Sequence, residues 1–395
     1  MIRRNLVFLW TIAIFSCSPD TDSDLNNTGN NTIPFSVTAL LKEYNNGNEG
    51  EYHTIDFMQG RKEPSNLFNI TNSLGLESNA SFRSNGEENL LVFKQGDGRG
   101  ADAFYIMMDL DDNQVISGSY KDYFPNINDC FFDAGQIGWN KNRLFSFENY
   151  VCDNESLRLL MHNLVNSEVT EMPPLEKAFT GDTPHGILVT EDYFFVQYDD
   201  RSEEALDTYK EGLIVYDSSS LNEVFSYQIA GLKTTFVDGH DIFVATRPSK
   251  MEIIDLTTGN VKHSTTTFNY FLATDDKISN VSISDGKVAY VDNSMAIGIP
   301  AYFDFNENDS FTVDQEKYMA FFNRDTIDFD ADVIIPQEFK IDLETMTFAV
   351  TYLRFSRGEN VPKSSAIMFM DFEGNLLLDY EFPSFRFEAE KLLKR

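Results

Sequence analysis

Two short stretches concentrate side chains able to grip an anion, Arg247-Pro-Ser-Lys250 and Arg354-Phe-Ser-Arg357. Neither carries an acid within its cationic core. A guanidinium presents paired N–H donors that match a carboxylate, sulfate or catecholate bidentately. Arg247, Lys250, Arg354 and Arg357 are therefore the candidate ligand-binding residues, for an anionic glycan or an iron chelate. Acid–base chemistry has a thinner basis. The five histidines are His53, His162, His185, His240 and His263, and no two stand at HxH or HExxH spacing, so no zinc motif is present. His185, in GDTPHGI, and Tyr198, in the following apolar stretch, form an alternative catalytic pair. A base and a phenol near Arg247 suit proton abstraction beside a uronate carboxylate. Asp304-Phe-Asn306-Glu-Asn308 alternates oxygen ligands as calcium loops do, without their central Gly or terminal Glu. Calcium is thus a candidate only through Asp304, Asn306 and Asn308, and no other metal or cofactor is expected.

The elements that must position these residues read as strands. From about Pro34 to Pro383 the chain consists of short apolar runs rich in Phe, Tyr, Val and Ile, punctuated by Asp-Gly, Asn-Gly or Thr-Gly. The clearest unit covers Lys233 to Thr267: TTFV, turn DGHD, IFVAT, loop RPSK, MEIID, turn LTTGN, VKHSTTT. The same order recurs around GLIVYD, AIMFMD and AFYIMMD, each preceded by a matching hairpin. The third strand is apolar throughout and ends in Asp, as expected when both faces pack and a turn follows. Four strands repeated at about fifty residues is the pattern of a β-propeller. Third-strand landmarks at Asp56, Asp109, Met161, Asp217, Asp255, Phe303 and Asp371 predict an all-β fold of seven four-stranded blades. Phe35 to Tyr44 is expected to close the last blade, and Glu388 to Arg395 to form a terminal helical turn.

In a propeller the loops from second to third strand gather on one face. Here they contain Lys94, Arg99, Arg201, Lys210, Arg247, Lys250, Arg354, Arg357 and Lys363. This basic set is unexpected, because the chain carries 63 Asp plus Glu against 31 Lys plus Arg, a formal charge of −32. Such a field disfavours nucleic acid and anionic membrane surfaces as partners.

The start of the chain has its own logic. Arg3 and Arg4 precede an apolar run from Leu6 to Phe15, too short to span a bilayer. Ser16 and Cys17 follow, and then a polar stretch with Asp20, Asp22 and Asp24. Ile14-Phe15-Ser16-Cys17 resembles the lipobox of bacterial lipoproteins, and the acidic cluster resembles the surface-export signal of Bacteroidota lipoproteins. That resemblance implies residues 1–16 as a signal peptide, lipidation at Cys17, residues 17–33 as a flexible tether and residues 34–395 as the propeller. It places the protein on the outer membrane, facing the exterior, with an outer-membrane importer as a partner. With Cys17 committed to lipid, Cys130 and Cys152 remain as a disulfide pair in an oxidising compartment.

The blade pattern itself is similar to the Tyr-Val-Thr-Asn and quinoprotein-like propeller repeats, although it lacks their tryptophan docking motif. The leading expectation is a non-catalytic surface lipoprotein that binds a ligand or partner. The alternative is a propeller-type polysaccharide lyase or glycoside hydrolase acting on an acidic polysaccharide, since such lyases use a His/Tyr pair like His185 and Tyr198.

Overall fold

A computed structural model describes residues 32–43, 50–83, 89–95, 104–119, 137–148, 158–166, 168–171, 186–200, 210–229, 232–246, 250–266, 278–292, 297–323, 332–356, 361–384 and 386–395. The compact unit begins at Thr32. It is a β-propeller of seven antiparallel four-stranded blades. Every third-strand landmark predicted from sequence falls in or at the end of a third strand. No helix among the described residues is long and apolar enough to cross a membrane.

Blade 5 shows why these residues form this architecture. Its strands are Leu232–Asp238, Asp241–Thr246, Lys250–Asp255 and Val261–Thr265, in spatial order. Side chains alternate across a strand, so its two apolar sets face opposite neighbours. Phe243, Ala245, Met251 and Ile253 pack with Val288, Tyr290, Ala301 and Phe303 of blade 6. Ile242, Val244 and Ile254 pack with Phe195, Leu213 and Val215 of blade 4. The central strands are thus buried on both sides, which is why they read as continuous apolar runs, and each large side chain contributes roughly 1.5–3 kcal/mol. The outermost strand has one covered flank, and its Val261 is 43% exposed.

The Asp at the end of the third strand has a local task. Its carboxylate accepts the backbone N–H groups of the turn into the fourth strand. Asp109 Oδ1 takes Asp111 N, Asp217 Oδ1 takes Ser219 N and Ser220 N, Asp255 Oδ1 takes Thr257 N and Thr258 N, and Asp371 Oδ1 takes Asn375 N. In blade 3 the amide oxygen of Asn163 does the same for Val165 N and Asn166 N. The Ser220 N–H bond is the main cause holding the Asp217 carboxyl below the ordinary aspartate value, whereas for Asp255 the Thr257 hydroxyl and then the Lys262 ammonium are the main causes. The turn then needs a left-handed residue, supplied by Asn113, Leu221, Gly259, Asn308 and Gly374 in five of the blades. Leu221, at φ 61°, is the one poorly suited to that region. Leu221→Gly is expected to stabilise the protein by about 0.5–1 kcal/mol, read as a higher urea midpoint with unchanged slope. An unchanged or lower midpoint would contradict this account of the turn.

Ring closure departs from the expectation. Val37–Glu43 is the second strand of blade 1, followed by Tyr52–Phe57 and Phe68–Asn69, and the C-terminal segment Phe387–Lys394 supplies the innermost strand. Seven residue pairs join Val37–Glu43 to Phe387–Lys394. The tail expected to be helical is therefore a strand, and within the stretch Phe35 to Tyr44 the strand Val37–Glu43 belongs to the first blade instead of the last. The physical reason is that tail residues Phe387, Ala389 and Leu392 face the apolar layer between blades 7 and 1, with Phe35, Leu41, Phe369 and Phe382. Burial there outweighs the helix propensity of FEAEKLLK.

The helix Gln315–Asn323 follows blade 6, and its Tyr318, Phe321 and Phe322 enter the layer between blades 6 and 7. The Tyr318 hydroxyl donates to Gly298 O at 2.8 Å, which satisfies its one polar atom in that apolar setting.

Candidate functional site

Each blade has a turn face, carrying the first-to-second and third-to-fourth turns, and a loop face at the opposite ends of the inner and second strands. The loop face is where the candidate anion-binding residues were expected. Lys250 opens the third strand of blade 5 with Nζ 2.7 Å from Oε1 of the buried Glu252, so its charge is committed to that carboxylate. Arg354 lies near the end of the second strand of blade 7, half-buried and paired in register with Ser364. Arg247, Arg357, His185, Cys17, Cys130 and Cys152 lie outside the described residues. Tyr198 is in the second strand of blade 4, opposite Gly212.

Two of the candidate calcium ligands also serve the turn. Asp304 Oδ1 accepts Asn306 N at 2.8 Å and Glu307 N at 3.3 Å, and its Oδ2 is 3.7 Å from Lys287 Nζ. Asn308 sits in the left-handed region and its Oδ1 accepts the Thr265 hydroxyl at 2.7 Å. Residue type here follows from the hairpin geometry.

A carboxyl pair not foreseen from the sequence stands on the inner strands of blades 7 and 1. The strand Asp332–Asp342 has a bulge where Gln337 and Glu338 together oppose Thr351. The closing strand Phe387–Lys394 has a second irregularity at Glu390, between the partners of Leu40 and Leu41. A bulge inserts an extra residue and re-aims its side chain. Burial pushes the Glu338 carboxyl up to about 7; the charge of Glu390 adds to this, while Lys391 and Lys340 oppose it. Glu390 is raised as well, first by burial and then by Glu388, against Lys42. Such a group can take up or release a proton near neutral pH. Across the bulge, Gln337 Oε1 accepts Ala389 N at 3.0 Å and so joins the two blades.

A second cluster lies on the loop face of blade 1. Glu43 ends the second strand, Glu51 precedes the third strand and His53 lies within it; their potential ligand atoms are all within 4.8 Å of one another. Glu43 N donates to Glu51 O at 2.8 Å, which places the two side chains side by side. His53 is 6% exposed, lies opposite Leu41 and Asn69 in register, and packs against the Phe387 ring at a centroid distance of 5.1 Å. These are the described residues best suited to hold a metal. The sequence motifs that mark zinc sites pair histidines within one stretch, whereas this donor set is divided between two strands. Its one local signal is Glu51-Tyr-His53, two residues apart and so on one side of a strand.

No family model and no curated protein sequence matches the chain. Among solved structures it is similar to the β-propeller domain of the trilobed protease from Pyrococcus furiosus, at 13% identity, with 87% of this chain and 92% of that chain covered and a TM-score of 0.45. It is also similar to a post-proline cleaving enzyme from Rickettsia typhi, at 11% identity, 91% and 54% coverage and a TM-score of 0.46. For TolB from Acinetobacter baumannii the identity is 13%, the coverage 70% and 63%, and the TM-score 0.39. The chain therefore spans about half the length of the Rickettsia enzyme and less than two thirds of TolB. These likenesses are of fold.

Proposed function

We propose that the chain is a lipid-anchored protein of the bacterial outer membrane whose propeller binds a ligand on its loop face, without catalysis. The ligand is an anionic glycan or an iron chelate, captured beside an outer-membrane importer. The observation that carries this reading is where the propeller begins and ends. Ile33 and Arg395 both lie on the turn face: Ile33 N donates to Arg61 O at 2.8 Å, and Arg395 N donates to Ser36 O at 3.2 Å. Thr32, where the compact unit begins, therefore lies at the opposite end of the blades from the second-to-third loops. Arg354, with Arg247 and Arg357 in the adjoining loop sequences, supplies the anion-binding donors in this reading.

Membrane-bound protein is expected to be accessible to protease on intact cells, and Cys17→Ser to release a soluble form with an unchanged melting temperature. The soluble form should gain thermal stability with an anionic glycan or a ferric chelate. Arg247→Ala combined with Arg354→Ala should remove that gain. Retention of Cys17→Ser in the membrane fraction, or a ligand shift indifferent to both arginines, would refute the proposal.

A further inference from the structure

We infer that Glu43, Glu51 and His53 form a binding site for a divalent transition metal, with a coordination position left open on the loop face of blade 1. One imidazole nitrogen and two carboxylates suit zinc, manganese or iron(II); calcium takes oxygen ligands alone. The proposal is independent of the anion-binding reading above, because it uses neither Arg247 nor Arg354.

The orientation of His53 points to a cation. Its Nδ1 faces the Glu51 carbonyl oxygen at 3.3 Å, so the proton on that nitrogen can donate there. Its Nε2 then presents a lone pair toward Glu51 Oε2, 4.0 Å away. Two acceptors then stand across a gap too long for a hydrogen bond, the imidazole nearly buried and the Glu51 side chain 45% exposed. A metal at about 2.0–2.2 Å from each fills that gap. An imidazole whose distal N–H is held by a carbonyl is the arrangement metal-bound histidines adopt.

The carboxylate is oriented as well, by a residue outside the donor set. Asn69 Oδ1 accepts Asn72 N at 2.8 Å, which fixes the direction of the amide, and its Nδ2 donates to Glu51 Oε2 at 2.6 Å. That bond leaves the remaining lone pairs of Glu51 for the ion. Glu43 closes the third corner from the neighbouring strand. Three protein ligands leave room for water or for an oxygen of a bound ligand.

Calorimetric titration of the EDTA-treated protein with Zn2+ at neutral pH tests this, with Ca2+ as the control. Saturable binding of a single Zn2+ is expected, with a rise in melting temperature that EDTA reverses. His53→Gln and Glu51→Gln should each weaken binding by about 100-fold or more, and Asn69→Ala by about 10–100-fold as an orienting partner. Unaltered circular dichroism shows that each variant is folded. Absence of saturable Zn2+ binding, or unchanged affinity in folded His53→Gln and Glu51→Gln, overturns the site. So does a result in which Zn2+ leaves the His53 imidazole resonances unmoved.

Discussion

Removal of residues 386–395 should abolish cooperative folding. The closing strand Phe387–Lys394 buries Phe387, Ala389, Leu392 and Leu393, none more than 8% exposed. At roughly 1.5–3 kcal/mol for each large side chain, the apolar loss alone is about 5–9 kcal/mol. Truncation also strips the backbone partners from Val37–Glu43 and the Lys394 Nζ contact with the buried Asp342, 2.8 Å away. Domains hold about 5–15 kcal/mol in total, so this loss consumes most or all of it. The truncated chain is expected to give no sigmoidal thermal transition and to self-associate in size-exclusion chromatography, because an unpaired inner strand edge invites pairing with other chains. Leu392→Ala provides the graded version, with an expected loss of about 2–5 kcal/mol in urea unfolding. A truncated chain that melts as the intact protein does would mean that the ring is held by its other six blades alone.

The second large effect is on the pH dependence of stability, where His162 opposes Glu338, whose direction the raised carboxyls of Glu390 and Glu252 share. His162 is fully buried in the third strand of blade 3, and burial lowers its imidazole from 6.5 to about 4. Above pH 6.5 it is neutral in both folded and unfolded chains, so its contribution is complete. As pH falls from 6.5 toward 4 the unfolded chain takes a proton that the fold refuses, and about 3 kcal/mol of stability is lost. Glu338 has the opposite sign, raised from 4.5 to about 7. Its contribution is complete below pH 4.5, where the carboxyl is protonated in both states, and is lost as pH rises through 7. Partial exposure screens it, leaving about 1–2 kcal/mol. Between pH 4.5 and 6.5 the two slopes oppose one another, and the wild-type profile should be shallow. Asp217, Asp255 and Asp342 are lowered from 3.8, so their losses fall at more acid pH, outside this window. Glu338→Gln is expected to steepen the decline on acidification; His162→Leu is expected to reverse it, so that stability rises toward pH 4.5. Urea midpoints measured from pH 4 to 8 provide the check. Parallel profiles for both variants and the wild type would remove these groups as the cause.

The legible part of the fold was the part with local causes. Apolar third strands ending in Asp mark their own position, because burial on both sides demands the run and the turn demands the carboxylate, as Asp217 and Asp255 show. The unreadable part was pairing between the ends of the chain. FEAEKLLK has the composition of a helical turn, and nothing within it names Val37–Glu43 as its partner. The candidate sites divide in the same way. Asp304, Asn306 and Asn308 fit two readings, because turn geometry and calcium select the same short oxygen-bearing residues. Glu43, Glu51 and His53 were passed over because strand pairing, not a motif, brings them together.

By itself the sequence determined a seven-bladed all-β ring, the place of each central strand and the turns between them. It did so because period-two burial and turn chemistry act over a few residues. Only the tertiary structure decided how the ring closes, which inner-strand residues the bulges at Glu338 and Glu390 re-aim, and which donors meet on blade 1. Those outcomes depend on contacts between residues far apart in the chain, whose energies are settled only when the blades pack against one another.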